Sequence, residues 1–169
     1  DPEARRKIRR MKDQIAGVSA DAHGLARKLH PAILDDLGLV AAIESECLGV
    51  SKRDGIRIAF AAERIPNRLP KDVSLALYRI AQEGLRNMAK HARTERAVVR
   101  LVSAGDTVRL VIQDFGVGFT PRTVRGQGGL GLESIRERIR LVQGQMSIKS
   151  RPNRGTVIAV EVPLKRSET

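Results

Sequence analysis

The apolar positions of this chain change period part-way along it. From about residue 4 to 48 the pattern is helical, with Ile8, Met11, Ile15, Val18, Ala22, Leu25 and Leu29 recurring three and four apart. That spacing draws one narrow apolar seam, flanked by dense Arg and Lys. Pro31 breaks it, and Ile33, Leu34, Leu37, Val40 and Ile43 resume an apolar face. A long helix with one seam must cover it, so pairing in a dimer or four-helix bundle is expected. Gly49 to Gly55 reads as a polar break, after which Ile56, Ile58 and Phe60 alternate as a half-buried strand would. Pro66 and Pro70 mark a loop, and Asp72 to Ala92 returns to helical period with Val73, Leu77, Ile80, Gly84 and Met88 on one face.

Beyond that helix the pattern predicts strands at Ala97–Val102 and Val108–Asp114, separated by the Gly105-Asp106 turn. A loop from Gly116 to Gly131 leads to a helix over Leu132–Val142, closed by Gly144. Strands at Met146–Ser150 and Thr156–Val162 follow, joined through Pro152-Asn153-Arg154-Gly155. The order strand, helix, strand, strand, helix, strand, strand predicts an α+β fold: a two-layer α/β sandwich with helices on one face of a mixed sheet. The expected division is a helical unit over 1–50 and an α/β unit over 51–169.

Composition narrows the class. The net charge of +12 invites a nucleic-acid partner, but aromatic residues make up 2%, so stacking platforms are missing. Zinc-finger spacing and a recognition helix are missing as well, and direct nucleic-acid binding is not expected. Cys47 is the only cysteine, which excludes an internal disulfide and fits the reducing interior of a cell. No apolar run approaches the ~18 residues a membrane span needs. The chain opens in a charged helical pattern without an initiator Met. It is expected to be the cytoplasmic part of something longer, with any membrane anchor upstream.

Candidate chemistry gathers on the 72–92 helix and in two glycine-rich stretches. Glu83, Asn87 and Lys90 share one helical stripe, with His91 beside it. A carboxylate, an amide, an ammonium and an imidazole so arranged can hold hydrated magnesium and phosphates, although an ordinary solvated face would look similar. Asp114 ends a strand and enters Phe115-Gly116-Val117-Gly118. A carboxylate there can accept the exocyclic amine of adenine, with the glycines letting the ring lie against backbone. Gly126, Gly128 and Gly131 fit G-x-G-x-x-G. The dinucleotide reading fails, because the motif should follow a strand directly and be followed by an acid about 20 residues on. What remains is a glycine loop feeding a helix N-terminus, where amides favour phosphate.

The sequence of motifs is specific where each alone is weak. E-x-x-x-N-x-x-K-H on a helix is followed by D-x-G-x-G after a strand. G-x-G-G-L-G-L then precedes a helix, and Gly155-Thr156 opens a last strand. Over roughly residues 56 to 164 this resembles the ATP-binding domain of histidine kinases, in the superfamily shared with gyrase, the heat-shock 90 chaperones and the MutL repair ATPases. Leu29-His30-Pro31, Leu34-Asp35-Asp36-Leu37-Gly38-Leu39 and Leu132-Glu133-Ser134-Ile135-Arg136-Glu137-Arg138 resemble the nitrate-sensor-like class of sensor kinases.

The resemblance implies a Bergerat-type fold preceded by a long dimerisation-type helix, with ATP and Mg2+ as cofactors. Asn87 would bind magnesium, Glu83 would shape the metal and its waters, and Lys90 and His91 would touch phosphates. Asp114 would bind the adenine amine, Gly116 and Gly118 would line the base, and Thr156 would support it through water. Gly128, Gly129 and Gly131 would belong to a lid. Two positions depart from the family pattern: Met88 replaces a small residue, and Asn153 stands where glycine is usual. Asn tolerates a left-handed backbone, so the hairpin is expected to survive.

A histidine kinase also needs an acceptor histidine followed by an acid that serves as base. His30 is followed by Pro31 and His23 by Gly24, so neither fits. The acceptor helix is expected to lie outside this chain. The resemblance implies a response-regulator receiver domain as partner and a homodimer through residues 4–48. Two alternatives share the nucleotide fold: a serine kinase of the anti-sigma-factor type, and a non-catalytic nucleotide-binding dimer module.

Overall fold

The computed structural model describes residues 31–120 and 130–164. The expected seam before Pro31, with His23 and His30, lies outside the described residues, as do Gly126, Gly128 and Gly129. The elements are α1 (Ala32–Asp36), α2 (Gly38–Asp54), β1 (Arg57–Glu63), α3 (Lys71–His91), β2 (Arg96–Ala104) and β3 (Thr107–Asp114). After them come α4 (Leu130–Leu141), β4 (Gln145–Ser150) and β5 (Thr156–Pro163). The strands form one sheet in the order β1-β2-β3-β5-β4. Its β1–β2 pair is parallel and the other pairs are antiparallel, which makes the expected mixed sheet.

Alternation along β2 and β3 sends Ala97, Val99, Leu101, Val108, Leu110 and Ile112 into the core. Helix α3 answers with Leu77, Ile80, Ala81 and Leu85, each fully buried, and packs against both α2 and α4. The α4 side chains Ile135 and Ile139 complete the layer. The result is the two-layer α+β sandwich that the element order predicts, with an almost purely aliphatic core.

Residues 32–54 differ from expectation in two ways. The helix does not stop at Gly49 but runs to Asp54, where Gly55 at φ 70° provides a left-handed cap and donates to the Ser51 carbonyl at 3.1 Å. The buried face is also rotated. Pro31 and the turn at Leu37 and Gly38 reset the helix, so Leu39, Ala42, Ile43, Cys47 and Val50 face inward while Leu37 is 67% exposed. These inward residues join the core of the α/β layer, against α3 and β1. The C-terminal end of the segment expected to form a dimer seam therefore buries its apolar residues in its own domain. The 50/51 division falls inside α2. Among the described residues no helix is long and apolar enough to cross a membrane.

Candidate functional site

A cavity of about 430 Å³ lies between α3, the sheet and the start of α4. Its position follows from the register. Ile112 pairs with Ile158 across β3 and β5, and Asp114 pairs with Thr156 two residues further along. All four point toward the helices and line the cavity, so its floor is aliphatic with one carboxylate at the strand end. From above, α3 contributes Glu83, Asn87, Lys90 and His91, a polar stripe that borders the buried Gly84 and Met88, which line the cavity with it. Lys90 and His91 are exposed at the rim, while Glu83 and Asn87 sit deeper. Gly84 lies over Ile112, whose Cδ1 fills the space a side chain would take.

Asp114 is buried and its carboxyl is held above its ordinary value. Burial is the larger cause; hydrogen bonds from Gly116 N–H, at 2.9 Å, and from the Thr156 N–H and hydroxyl pull the other way. Ser150, which has no functional signature in the sequence, completes this end. Its buried hydroxyl donates to the Gly155 carbonyl at 3.0 Å, accepts from Phe119 N–H at 2.8 Å and lies 3.0 Å from the Thr156 hydroxyl.

The loop after Asp114 is tied down on two sides. Val117 N–H donates to the Ala92 carbonyl at 2.8 Å, at the C-terminal end of α3. Gly155 N–H donates to the Gly116 carbonyl at 3.0 Å, and Asn153 N–H to the Val117 carbonyl at 2.7 Å. Asn153 takes φ 60°, the left-handed backbone expected of it. Gly118 lines the cavity. Gly116, expected to line the base, is not among the lining residues. It lies against the Ala92 carbonyl instead, where any Cβ would collide with the oxygen. Its contribution is the close approach of loop to helix.

Gly131 lies at the opposite end, against the side chains of Glu83 and Asn87. A Cβ there would stand 2.9 Å from both terminal atoms of Asn87 and collide with Glu83 Oε1. The start of α4 thus rests on the polar stripe of α3. Arg86, absent from the sequence-based candidates, also lines the cavity and pairs with Glu83. Its position three residues after Glu83 is a readable ion-pair spacing. Met88 is buried and lines the cavity too, so its departure from the family pattern changes packing beside the site.

An acid at a strand end, an amide-bearing helix across from it and a tied glycine loop between them surround this one cavity. Residues 72–166 match the family described as histidine kinase-, DNA gyrase B- and HSP90-like ATPase, and the chain belongs to that family. It is 31% identical over 166 residues to the signal transduction histidine-protein kinase/phosphatase DegS of Brevibacillus brevis, covering 98% of this chain and 43% of that protein. To the oxygen sensor histidine kinase NreB of Staphylococcus carnosus it is 33% identical over 156 residues, covering 92% and 45%. The chain thus spans less than half the length of these relatives. In fold it is similar to the histidine kinase domain of the blue-light activated histidine kinase of Erythrobacter litoralis EL346. That match has a TM-score of 0.63 at 22% identity, covering 75% of this chain and 61% of that one.

Proposed function

We propose that this chain is the ATP-binding catalytic part of a sensor histidine kinase of the nitrate-sensor-like class. The observation that carries the reading is the buried Asp114 carboxylate on the aliphatic floor of a cavity that Asn87 lines from α3, with Lys90 and His91 at its rim. An acceptor-only group in an apolar slot selects a base with an exocyclic amine. Thr156 holds that carboxylate and reaches the base through water, while Gly118 lies against the ring. Lys90 and His91 at the rim receive the phosphates, where a mobile anion needs donors that stay partly solvated.

The residues fit a magnesium ion that keeps most of its waters. Glu83 and Asn87 present hard oxygen donors one turn apart, with the glycine at 131 packed close against both side chains. Among the described residues no group of three or more His, Cys, Asp or Glu forms a cage, which a phosphate-bound magnesium does not require. When bound, the ion neutralises charge developing on the transferring phosphoryl group. The protein's part is positioning. Asp114 fixes the base and the α3 stripe fixes the phosphates.

The γ-phosphoryl would pass to a histidine on a dimerisation helix and then to an Asp of a response-regulator receiver domain. His23 and His30 lack a following acid, and His91 serves the phosphates, so this chain should bind Mg-ATP yet label itself poorly. Calorimetry with ATP and magnesium tests the binding. No binding, or binding untouched by Asp114→Asn, would overturn the kinase reading and the non-catalytic nucleotide-module reading together. Incubation with γ-labelled ATP separates those two only in a protein that carries an acceptor helix. In this chain, strong acid-labile labelling lost in His30→Gln would overturn the missing-acceptor argument.

A further inference from the structure

Arg86 stands three residues after Glu83 on α3, and its guanidinium pairs with Glu83 Oε2. The two side chains differ sharply in exposure, Glu83 at 12% and Arg86 at 60%. Both line the cavity. The other carboxylate oxygen, Oε1, faces Gly131 at the start of α4. Glu83 is thus enclosed by protein on one side and faced by a guanidinium on the other, and the guanidinium has solvent to move into.

We propose that Arg86 is an exchangeable counter-ion. It neutralises Glu83 while the site is free of magnesium, and it turns to the triphosphate when magnesium balances that carboxylate. This rests on reading the cavity as a Mg-ATP site. A carboxylate so little exposed is costly without a cation beside it. A guanidinium and a divalent ion at one carboxylate repel each other, and the exposed side chain yields at little cost. The planar fork of Arg86 matches phosphate oxygens, and the Lys90 and His91 rim lies one turn further along the same helix. Arg86 is a positioning residue for metal and phosphate.

The exchange couples two affinities in opposite directions. Without Arg86, Glu83 is an uncompensated carboxylate and attracts magnesium more strongly. Metal-free nucleotide then meets the unbalanced Glu83 carboxylate and binds more weakly.

The test is calorimetric titration of the 169-residue chain with ATP, in EDTA and across a magnesium series. Wild type, Arg86→Gln, Arg86→Lys and Asp114→Asn are compared, with melting curves confirming the fold. Arg86→Gln should lower the magnesium midpoint about two- to fivefold and weaken metal-free ATP binding by a similar factor. Arg86→Lys keeps a charge and should hold the wild-type midpoint more closely. An unchanged or raised midpoint in Arg86→Gln overturns the exchange, and so does a change in only one of the two affinities. Wild type that binds no ATP, or Asp114→Asn that binds as wild type does, overturns the nucleotide reading and the exchange with it.

Discussion

Asp114 and Thr156 are register partners at the end of the β3–β5 ladder, and Thr156 hydrogen bonds to the Asp114 carboxylate through both its N–H and its hydroxyl. Burial outweighs these bonds and holds the carboxyl above its ordinary value. The folded chain therefore keeps this proton at a pH where the unfolded chain has lost it. From this group alone, stability is highest below the ordinary Asp range and falls as pH rises through the raised value. Base binding runs the other way, because the amine needs an ionised acceptor. Adenosine, which lacks phosphates, isolates this end from Lys90 and His91. Its affinity should begin to fall on acidification above the ordinary Asp range of about 4. Affinity that stays flat into that range would sink the assignment.

Asp114→Asn separates site from fold. The substitution removes a buried charge and replaces one acceptor by an amide donor facing the adenine amine. ATP binding should weaken about 10- to 100-fold. The melting temperature should change little, since the desolvated carboxylate is gone and Gly116 N–H still finds an amide oxygen, while the Thr156 N–H loses its acceptor. Parallel loss of melting temperature and binding would mark Asp114 as a structural residue instead.

Two glycines should respond differently to alanine. At Gly116 the new Cβ meets the Ala92 carbonyl, backbone that is fixed by the Val117 N–H bond at 2.8 Å. Something rigid must shift, at a cost of about 1–3 kcal/mol. At Gly131 the new Cβ meets the ends of Glu83 and Asn87, which can rotate away. Gly131→Ala should leave the melt nearly unchanged and weaken Mg-ATP binding, because the two displaced side chains are the proposed metal donors. Denaturant melts and calorimetry on both variants check the contrast. An equal loss of stability would show that Gly131 is needed for packing.

The sheet, its helices and most of the cavity were legible because they follow from period. The alternation at Val108, Leu110 and Ile112 fixes which way Asp114 points, and helical spacing fixes the stripe of Glu83, Asn87 and Lys90. Long-range geometry was not legible. Nothing local marks Ser150, whose place beside Thr156 depends on the β4–β5 pairing. Gly116 was readable as a site glycine, but its contact with Ala92 requires the end of α3 to be in place. The phase of α2 was misread because the turn at Leu37 and Gly38 resets the helix, leaving Leu37 exposed and Leu39 buried. Arg86 could have been found from its spacing to Glu83.

Glu46 joins α2 to the helix that carries the site. Its Oε1 accepts from the Tyr78 hydroxyl at 2.7 Å and from the Gln82 amide at 2.7 Å, one residue before Glu83. Tyr78 is buried, and burial together with the bond to Glu46 pushes its hydroxyl up to about 12. Glu46→Ala should cost about 1–3 kcal/mol, because it strands a buried hydroxyl without its acceptor. Tyr78→Phe removes the donor as well as the need for a partner and should cost about 0.5–1.5 kcal/mol. The double variant should therefore be less destabilised than the sum, with a coupling of about 0.5–3 kcal/mol in denaturant melts. Tyrosinate absorbance should appear at lower pH in Glu46→Ala than in wild type, since the carboxylate that resists ionisation is gone. Additive stabilities and an unmoved titration would mean that α2 is held by its aliphatic residues alone. A measured coupling would mean that the Glu46 carboxylate helps to tie α2 to the turns of α3 just ahead of Glu83.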